Sequence, residues 1–359
     1  MIYPLKLRPF FRHGDQTPWG GQALAQCFHK PIPDARTGES LEISAIPGME
    51  SVIENGALAG QTLTDALSAW GDKLTGRADA AFPLLVKLLD AREKLSVQVH
   101  PGDDYAYLNE HGKLGKTEAW LILSCAPDAR IVYGLDTKGR ALSDCVKGGQ
   151  LETSLNWMRV KPGDVCYIPS GLVHALGGSA GGDLVVYEIQ QSSDVTYRFW
   201  DWGRVDAQGR ARELHTQKAL DVSDARLLPD KPAGVRVPVP GGEITYYIAN
   251  QYFELSLVLV QDRLPLAGGR MRLLTALDPI DIAWAGGDIR LMPGDSAVVP
   301  AAFFGAALVR PAGGARADGA QADGARVVMT AMPDLAKLRA QLGARAGEVA
   351  GLEGERSVK

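Results

Sequence analysis

Gln98 and His100 stand two residues apart in the run LSVQVHPGDD (residues 95–104), so on a strand their side chains leave from one face. Ser96 shares that face, while Val97 and Val99 point the other way. Glu118 follows in GKTEAWLIL, at the threshold of an apolar run, and His174 ends PGDVCYIPSGLVH just after a Pro-Ser-Gly turn. Two imidazoles, a carboxylate and an amide oxygen make a mixed nitrogen–oxygen donor set for a divalent metal that keeps positions open. Zinc suits the set best, and Fe(II), Mn(II) or Co(II) also fit it. Taken singly, any histidine reads as a surface or satisfied core residue, and His13, His29 and His215 have no partner pattern and are expected at the surface.

The three segments that carry these groups are far apart in sequence, and the chain between and beyond them reads as mostly β. Glycine (41 residues) and proline (21) punctuate short β-rich runs, as in barrels and sandwiches. Strands are predicted over residues 121–124, 164–169, 183–190, 244–248 and 253–261. Helices are predicted over 63–70, 81–90, 104–110 and, in pieces, 140–158. The Pro-rich stretch 229–240 reads as a linker between two halves. Beyond it, RLMPGDSAVVPAAF (residues 290–303) echoes RVKPGDVCYIPSGLVH (residues 159–174), and only the first copy continues to a histidine. The Gly/Ala-biased stretch 312–328 reads as a loop, and the polar residues from 343 onward as a frayed end.

Composition narrows the function classes. Of 359 residues, 46% are apolar and 22% charged, ordinary globular values that exclude wholesale disorder. A net charge of −4 argues against a general nucleic-acid or anionic-membrane binder. The start, MIYPLKLRPFFRHGDQTPWGG, lacks the continuous apolar segment of a secretory signal, and no stretch of about 18 uncharged apolar residues occurs. Cys27, Cys125, Cys145 and Cys166 are scattered without a CxxC pair, which fits a reduced cytoplasm. Gly115-Lys116-Thr117 looks like the end of a phosphate loop, but Glu110 stands where that loop needs glycine, so nucleotide binding is rejected.

Gly163-x5-Pro169-x-Gly171-x2-His174 has the spacing of the second cupin motif, although Gly178 replaces its usual Asn. The first motif normally reads His-x-His closely followed by Glu. Here it is Gln98-x-His100 with Glu118 eighteen residues past the histidine, which predicts a helical excursion over the barrel mouth. The chain resembles the type I phosphomannose isomerase family in its shorter bacterial form. The matching stretches include GESLEIS (residues 38–44), FPLLVKLLDAREKLSVQVHPGDDYA (82–106), GKTEAWLIL (115–123), PGDVCYIPSGLVHALG (162–177) and EIQQSSDVTYRFWDWGR (188–204). They span about the first 200 residues; beyond residue 228 the resemblance fades to general architecture.

The resemblance implies a mainly β fold of tandem cupin (jelly-roll, or double-stranded β-helix) barrels with a few inserted helices. It implies a catalytic domain over 1–228, the linker at 229–240, a metal-free cupin-like domain over 241–335, and a C-terminal helix and tail over 336–359. It places the metal ligands on Gln98, His100, Glu118 and His174, with one Zn2+ per chain in the first barrel. The family's catalytic arginine falls on Arg198; Ser96, Lys116 and Arg204 match further active-site positions, and Glu188 matches a carboxylate proposed as a proton carrier. The implied activity is interconversion of mannose 6-phosphate and fructose 6-phosphate through an enediol intermediate. Arg198 then gives electrostatic support, Lys116 or Glu188 is the base, and Arg204 with Lys116 meets the phosphate. The alternatives are a metal-cupin isomerase or epimerase for another sugar, or a non-catalytic sugar-phosphate binder. The expected partner is a sugar phosphate, with no nucleic acid or membrane, and the chain is expected to be a monomer or small homo-oligomer.

Overall fold

The structure, a computed structural model, describes residues 1–78, 81–177, 184–206, 208–311 and 323–352. Its residues cluster into two compact units, one made of Phe11–Ser40 and Leu88–Lys231, the other of Met1–Phe10, Leu41–Lys87 and the described residues from Pro232 onward. The chain is mainly β, and its sheets have the cupin-type arrangement.

A six-stranded sheet, most of whose residues belong to the unit carrying residues 88–231, runs in the order Val165–Ile168, Glu118–Cys125, Leu184–Gln191, Leu84–Ala91, Thr37–Ile43, Phe10–His13. A five-stranded sheet runs Tyr197–Trp200, Val97–Val99, His174–Ala175, Arg130–Leu135, Leu155–Arg159. Trp120, Ile122, Ile168 and Val186 of the first pack with Ile131 and Tyr133 of the second in one buried cluster. The opposite face of the five-stranded sheet is buried too. There Val97, Val99, Val132 and Ala175 pack with Ala219 of the helix Thr216–Val222. Val97 and Val99 are fully buried, each worth about 1.5–3 kcal/mol of apolar burial. The polar face of their strand is therefore free to look inward.

In the other unit, an eight-stranded sheet runs Val235–Val239, Gly242–Ala249, Glu254–Val260, Ala325–Ala331, Arg272–Ala276, Ser296–Val299, Leu5–Arg8, Val52–Ile53. A four-stranded sheet runs Arg263–Pro265, Ala307–Val309, Ile280–Trp284, Gly287–Leu291. Its core joins Leu274, Ala276, Val258 and Val327 of the first to Leu264, Ile282, Leu291 and Leu308 of the second.

Several sequence expectations are corrected. Residues 1–10 and 41–87, expected in a domain running 1–228, cluster with the later β region because Leu5–Arg8 pairs with both Ser296–Val299 and Val52–Ile53. The stretch 229–240 is no linker over its length: Val235–Val239 is an edge strand on Gly242–Ala249, a place where Pro238 is tolerated. Residues 81–90 are not helical; Leu84–Ala91 is a strand buried at every position. Within 140–158 only Leu142–Lys147 is α-helical, followed by a 3-10 turn at Glu152–Ser154 and the strand Leu155–Arg159. Of the loop expected over 312–328, residues 325–328 begin the strand Ala325–Ala331, and 312–322 lie outside the described residues, as does Gly178. The chain after the helix Leu335–Leu342 is not frayed as far as residue 352: it makes a 3-10 turn and buries Ala346, Val349 and Leu352, while 353–359 lie outside the described residues. Helices Leu63–Trp70 and Asp103–Asn109 stand where expected, the first with a capping box between Thr62 and Asp65. Among the described residues no helix is long and apolar enough to cross a membrane, and none of the four cysteines forms a disulfide.

The echoed Pro-Gly-Asp stretches take one conformation in both units. The Asp164 and Asp295 backbone N–H groups donate to Lys161 and Met292 carbonyls, and their carboxylates accept from the Lys161 and Met292 N–H groups. Gly163 and Gly294 hold φ of 89° and 87°, which glycine adopts at no steric cost.

Candidate active site and metal centre

Strand register assembles the site. In the five-stranded sheet Gln98 lies directly opposite His174 on one side and Arg198 on the other, so the three side chains form a row on one face. In the six-stranded sheet Glu118 lies opposite Ile168 and Gln190. His174 Nε2 and Glu118 Oε1, one from each sheet, are 3.2 Å apart, and His100 Nε2 is 3.5 Å from Glu118 Oε2. All three residues are buried, and their ligand atoms lie within 4.8 Å of one another.

The imidazoles are aimed by the main chain. His100 Nδ1 lies 2.9 Å from the Val195 carbonyl and His174 Nδ1 2.8 Å from the Leu172 carbonyl. A carbonyl only accepts, so each Nδ1 carries the proton and each Nε2 turns a lone pair toward Glu118. Burial pushes the His174 pKa down to about 4, which keeps the ring a neutral donor at physiological pH. Donors sharing one tetrahedral zinc at about 2.0–2.1 Å stand roughly 3.4 Å apart. The 3.2 and 3.5 Å separations have that size, so the residues fit a small divalent cation. Gln98 stands beside this trio with Nε2 3.3 Å from His174 Nε2, while its Oε1 accepts from Ser96 Oγ at 3.4 Å.

Lys116 enters the centre itself. Its buried Nζ is 2.6 Å from Glu118 Oε2 and 3.1 Å from His100 Nε2. The backbone that delivers it is tightly packed: the Lys116 N–H donates to the Pro101 carbonyl, and a Cβ on Gly115 would meet backbone atoms of Gly102 and Asp103 at 2.5 and 2.6 Å. Glu188 is buried opposite Trp120, whose Nε1 donates to Glu188 Oε2 at 2.9 Å. Arg198 is half-buried, its Nε has no hydrogen-bond partner, and its side chain forms no ion pair among the described residues. Burial and the like charge of Arg212 lower its pKa. Arg204 is held elsewhere, by Asp201 at 3.1 Å, the Lys94 carbonyl at 2.7 Å and Glu93 at 3.6 Å. Sequence reasoning gave no role to three neighbours of Arg198. His215, expected at the surface, is half-buried, and its Nδ1 accepts from the Arg198 N–H at 3.3 Å. Arg12 and Arg212 both act on the Arg198 charge. Neither arginine has a local spacing signal, since Arg12 lies on a different strand and Arg212 beyond the last quoted motif.

Comparison with known proteins gives the family. Residues 7–115 match the family described as phosphomannose isomerase type I, catalytic domain. The mannose-6-phosphate isomerase ManA of Bacillus subtilis (strain 168) is 43% identical over 230 residues, 64% of this chain and 70% of that protein. The mannose-6-phosphate isomerase of Streptococcus mutans is 39% identical over 239 residues, 66% of this chain and 73% of that protein. The crystal structure of a mannose 6-phosphate isomerase from Bacillus subtilis superposes with a TM-score of 0.80 at 32% identity, covering 91% of this chain and 99% of that one. With the buried His100, Glu118 and His174 gathered as they are, this chain belongs to the type I phosphomannose isomerase family.

Proposed function

We propose that this chain interconverts mannose 6-phosphate and fructose 6-phosphate, using one zinc ion held by His100, Glu118, His174 and, once its amide is turned by half a rotation, Gln98. The observation that carries this reading is the convergence of two main-chain-aimed imidazoles and a carboxylate next to an unpaired arginine. A zinc ion there supplies Lewis acidity for the sugar's C1 and C2 oxygens.

The reaction moves a proton between C2 and C1, and negative charge develops on the two oxygens. Arg198 keeps its proton under all working conditions, so it stabilises that charge and does not abstract. Lys116 Nζ, inside the donor cluster, is the group we assign to proton transfer. Glu188 is the competing base, oriented by Trp120. Lys116→Met and Glu188→Gln separate them: the base is the residue whose loss stops exchange of the C2 hydrogen with solvent deuterium. With its Nζ engaged by Glu118 and His100, Lys116 does not also serve the phosphate at the far end of the sugar. That role goes to Arg204, pre-oriented by Asp201, with the Ser96 hydroxyl lining the site. Four cysteines with no disulfide among them fit a reducing compartment.

The test is a coupled assay with mannose 6-phosphate on protein of known metal content, before and after chelation. Activity lost with EDTA and restored by Zn2+ is the expected result. A chain that holds one metal but leaves this substrate untouched overturns the substrate and points to another sugar. One that holds no metal overturns the site.

A further inference from the structure

The unit containing residues 232–352 has its own cavity, of about 810 Å³. Tyr246, Arg270, Arg272, Met329, Asp334 and Lys337 are among the residues lining it. Strand pairing shows what Arg272 replaces. After the Pro-Gly-Asp turn of one unit, the strand Val165–Ile168 ends with Ile168 opposite Glu118; after the matching turn of the other, Ser296–Val299 ends with Val299 opposite Arg272. On their far sides Glu118 lies opposite Gln190 and Arg272 opposite Ala331, each on the next strand of its own sheet. Glu118 shares its face with the core residues Trp120 and Ile122, as Arg272 shares its face with Leu274 and Ala276. A guanidinium thus stands where the first unit carries its metal-binding carboxylate.

Among the described residues no carboxylate pairs directly with that guanidinium, although the charge of Glu254, which flanks Ala331 from the other side, still acts on it. Arg272 is only 6% exposed, and its side chain donates one long hydrogen bond, 3.4 Å, to the Arg270 carbonyl. It forms no ion pair among the described residues. The nearby buried carboxylate, Glu254, is taken by Arg270 through two hydrogen bonds of 2.8 and 3.1 Å. Asp334 accepts from the Lys337 N–H at 3.1 Å and caps the helix Leu335–Leu342. Burial and the Arg270 charge lower the Arg272 pKa to about 10, so it is still a cation at neutral pH. A buried cation whose only hydrogen bond is long and whose nearby carboxylate is already bound by Arg270 is costly, and an oxyanion is the partner a guanidinium fork fits best. The exposed Lys337 adds positive charge at the rim.

We propose that this cavity binds a small phosphate-bearing anion, free phosphate or a low-molecular-weight phosphate ester, with Arg272 as its principal contact. The site is separate from the catalytic one and does not depend on the isomerase reading.

The test titrates the full chain with inorganic phosphate and, separately, with glycerol 3-phosphate, reading calorimetric heat and Tm. The wild-type chain should show saturable binding and an anion-dependent rise in Tm. Arg272→Met should lose both while keeping kcat and KM for the sugar within about twofold, because the change lies outside the catalytic unit. Arg272→Met has a similar stem length and removes a buried charge, so it is expected to fold. If it does not, Lys337→Glu at the exposed rim should weaken binding roughly threefold to tenfold at low salt. Tighter binding of glycerol 3-phosphate identifies an ester ligand, and equal binding identifies free phosphate. No saturable binding of either anion, or binding unchanged in Arg272→Met or in Lys337→Glu, overturns the proposal.

Discussion

Replacing Arg198 by alanine is the sharpest perturbation of the proposed chemistry. The side chain shares its sheet face with Gln98 and His174, and its Nε has no hydrogen-bond partner. Little in the folded protein therefore depends on the guanidinium. Truncation orphans no carboxylate, relieves repulsion from Arg212, and forfeits only the packing of a half-buried stem. Stability should change by no more than about 1 kcal/mol, and metal content should stay at wild-type level. In the transition state the same group faces developing negative charge in a partly desolvated site. Loss of one such preorganised donor costs about 2.7–4 kcal/mol, or roughly 10²–10³ in kcat. Arg198→Lys keeps the charge but loses the planar fork and should recover only part of that loss. The assay is steady-state turnover of mannose 6-phosphate with metal analysis and a melting curve on the same preparation. A kcat within about threefold of wild type, metal retained, refutes the electrostatic assignment. A collapse that coincides with metal loss refutes it differently, by making Arg198 a support for Gln98 and His174.

Gly115→Ala places a Cβ 2.5 Å from the Gly102 carbonyl carbon, so the loop carrying Lys116 must shift; a loss of about 1–3 kcal/mol by chemical denaturation is expected, with a larger fall in kcat. Glu110 is tied to Lys218 at 2.6 Å and to the Tyr197 hydroxyl at 2.8 Å, and the Lys218 hydrogen bond holds its pKa below the usual carboxylate value. A depressed folded pKa gives stability that is present above the unfolded value, near pH 4.5, and is lost as pH falls through the folded one. Amide exchange in Asp103–Asn109 should therefore accelerate, relative to the sheets, as pH falls from 6 to below about 4.5; the excess acceleration should vanish in Glu110→Gln. Iodoacetamide at neutral pH should label the exposed Cys27 and spare the buried Cys166, whose pKa burial raises to about 12; mass spectrometry of the tryptic peptides reads the pattern.

Part of the candidate site is legible from local pattern, and Lys116, Glu188, Arg198 and Arg204 only through the family resemblance. The i, i+2 spacing of Gln98 and His100 predicts a common face, and the likeness of the stretch ending PSGLVH to the second cupin motif implies that His174 faces the interior. Other parts depend on long-range pairing and left no local trace. The run Leu84–Ala91 is buried on both faces, so it shows none of the alternation that marks a strand and reads as a buried helix. Prolines made 229–240 look like a connector, whereas an edge strand uses only alternate N–H groups and admits Pro238. His215 looked bare in sequence because its partner, the Arg198 backbone, lies seventeen residues away across a turn. Tyr133 leaves no local trace either: its hydroxyl accepts from the Asp230 N–H and shares its one proton between the carbonyls of Tyr167 and Asp230, thirty-four and ninety-seven residues on.

Both imidazoles of the candidate metal centre lean on peptide carbonyls, those of Val195 and Leu172, where many metalloenzymes use a carboxylate side chain. A peptide oxygen is shared by every amino acid, so no substitution at residue 195 or 172 deletes it. Mutational drift and laboratory selection alike are thereby denied the usual handle for retuning ligand basicity. If the proposed metal site holds, a change of metal preference would have to proceed through the side chains of Gln98 and Glu118, or through insertions that displace the backbone itself.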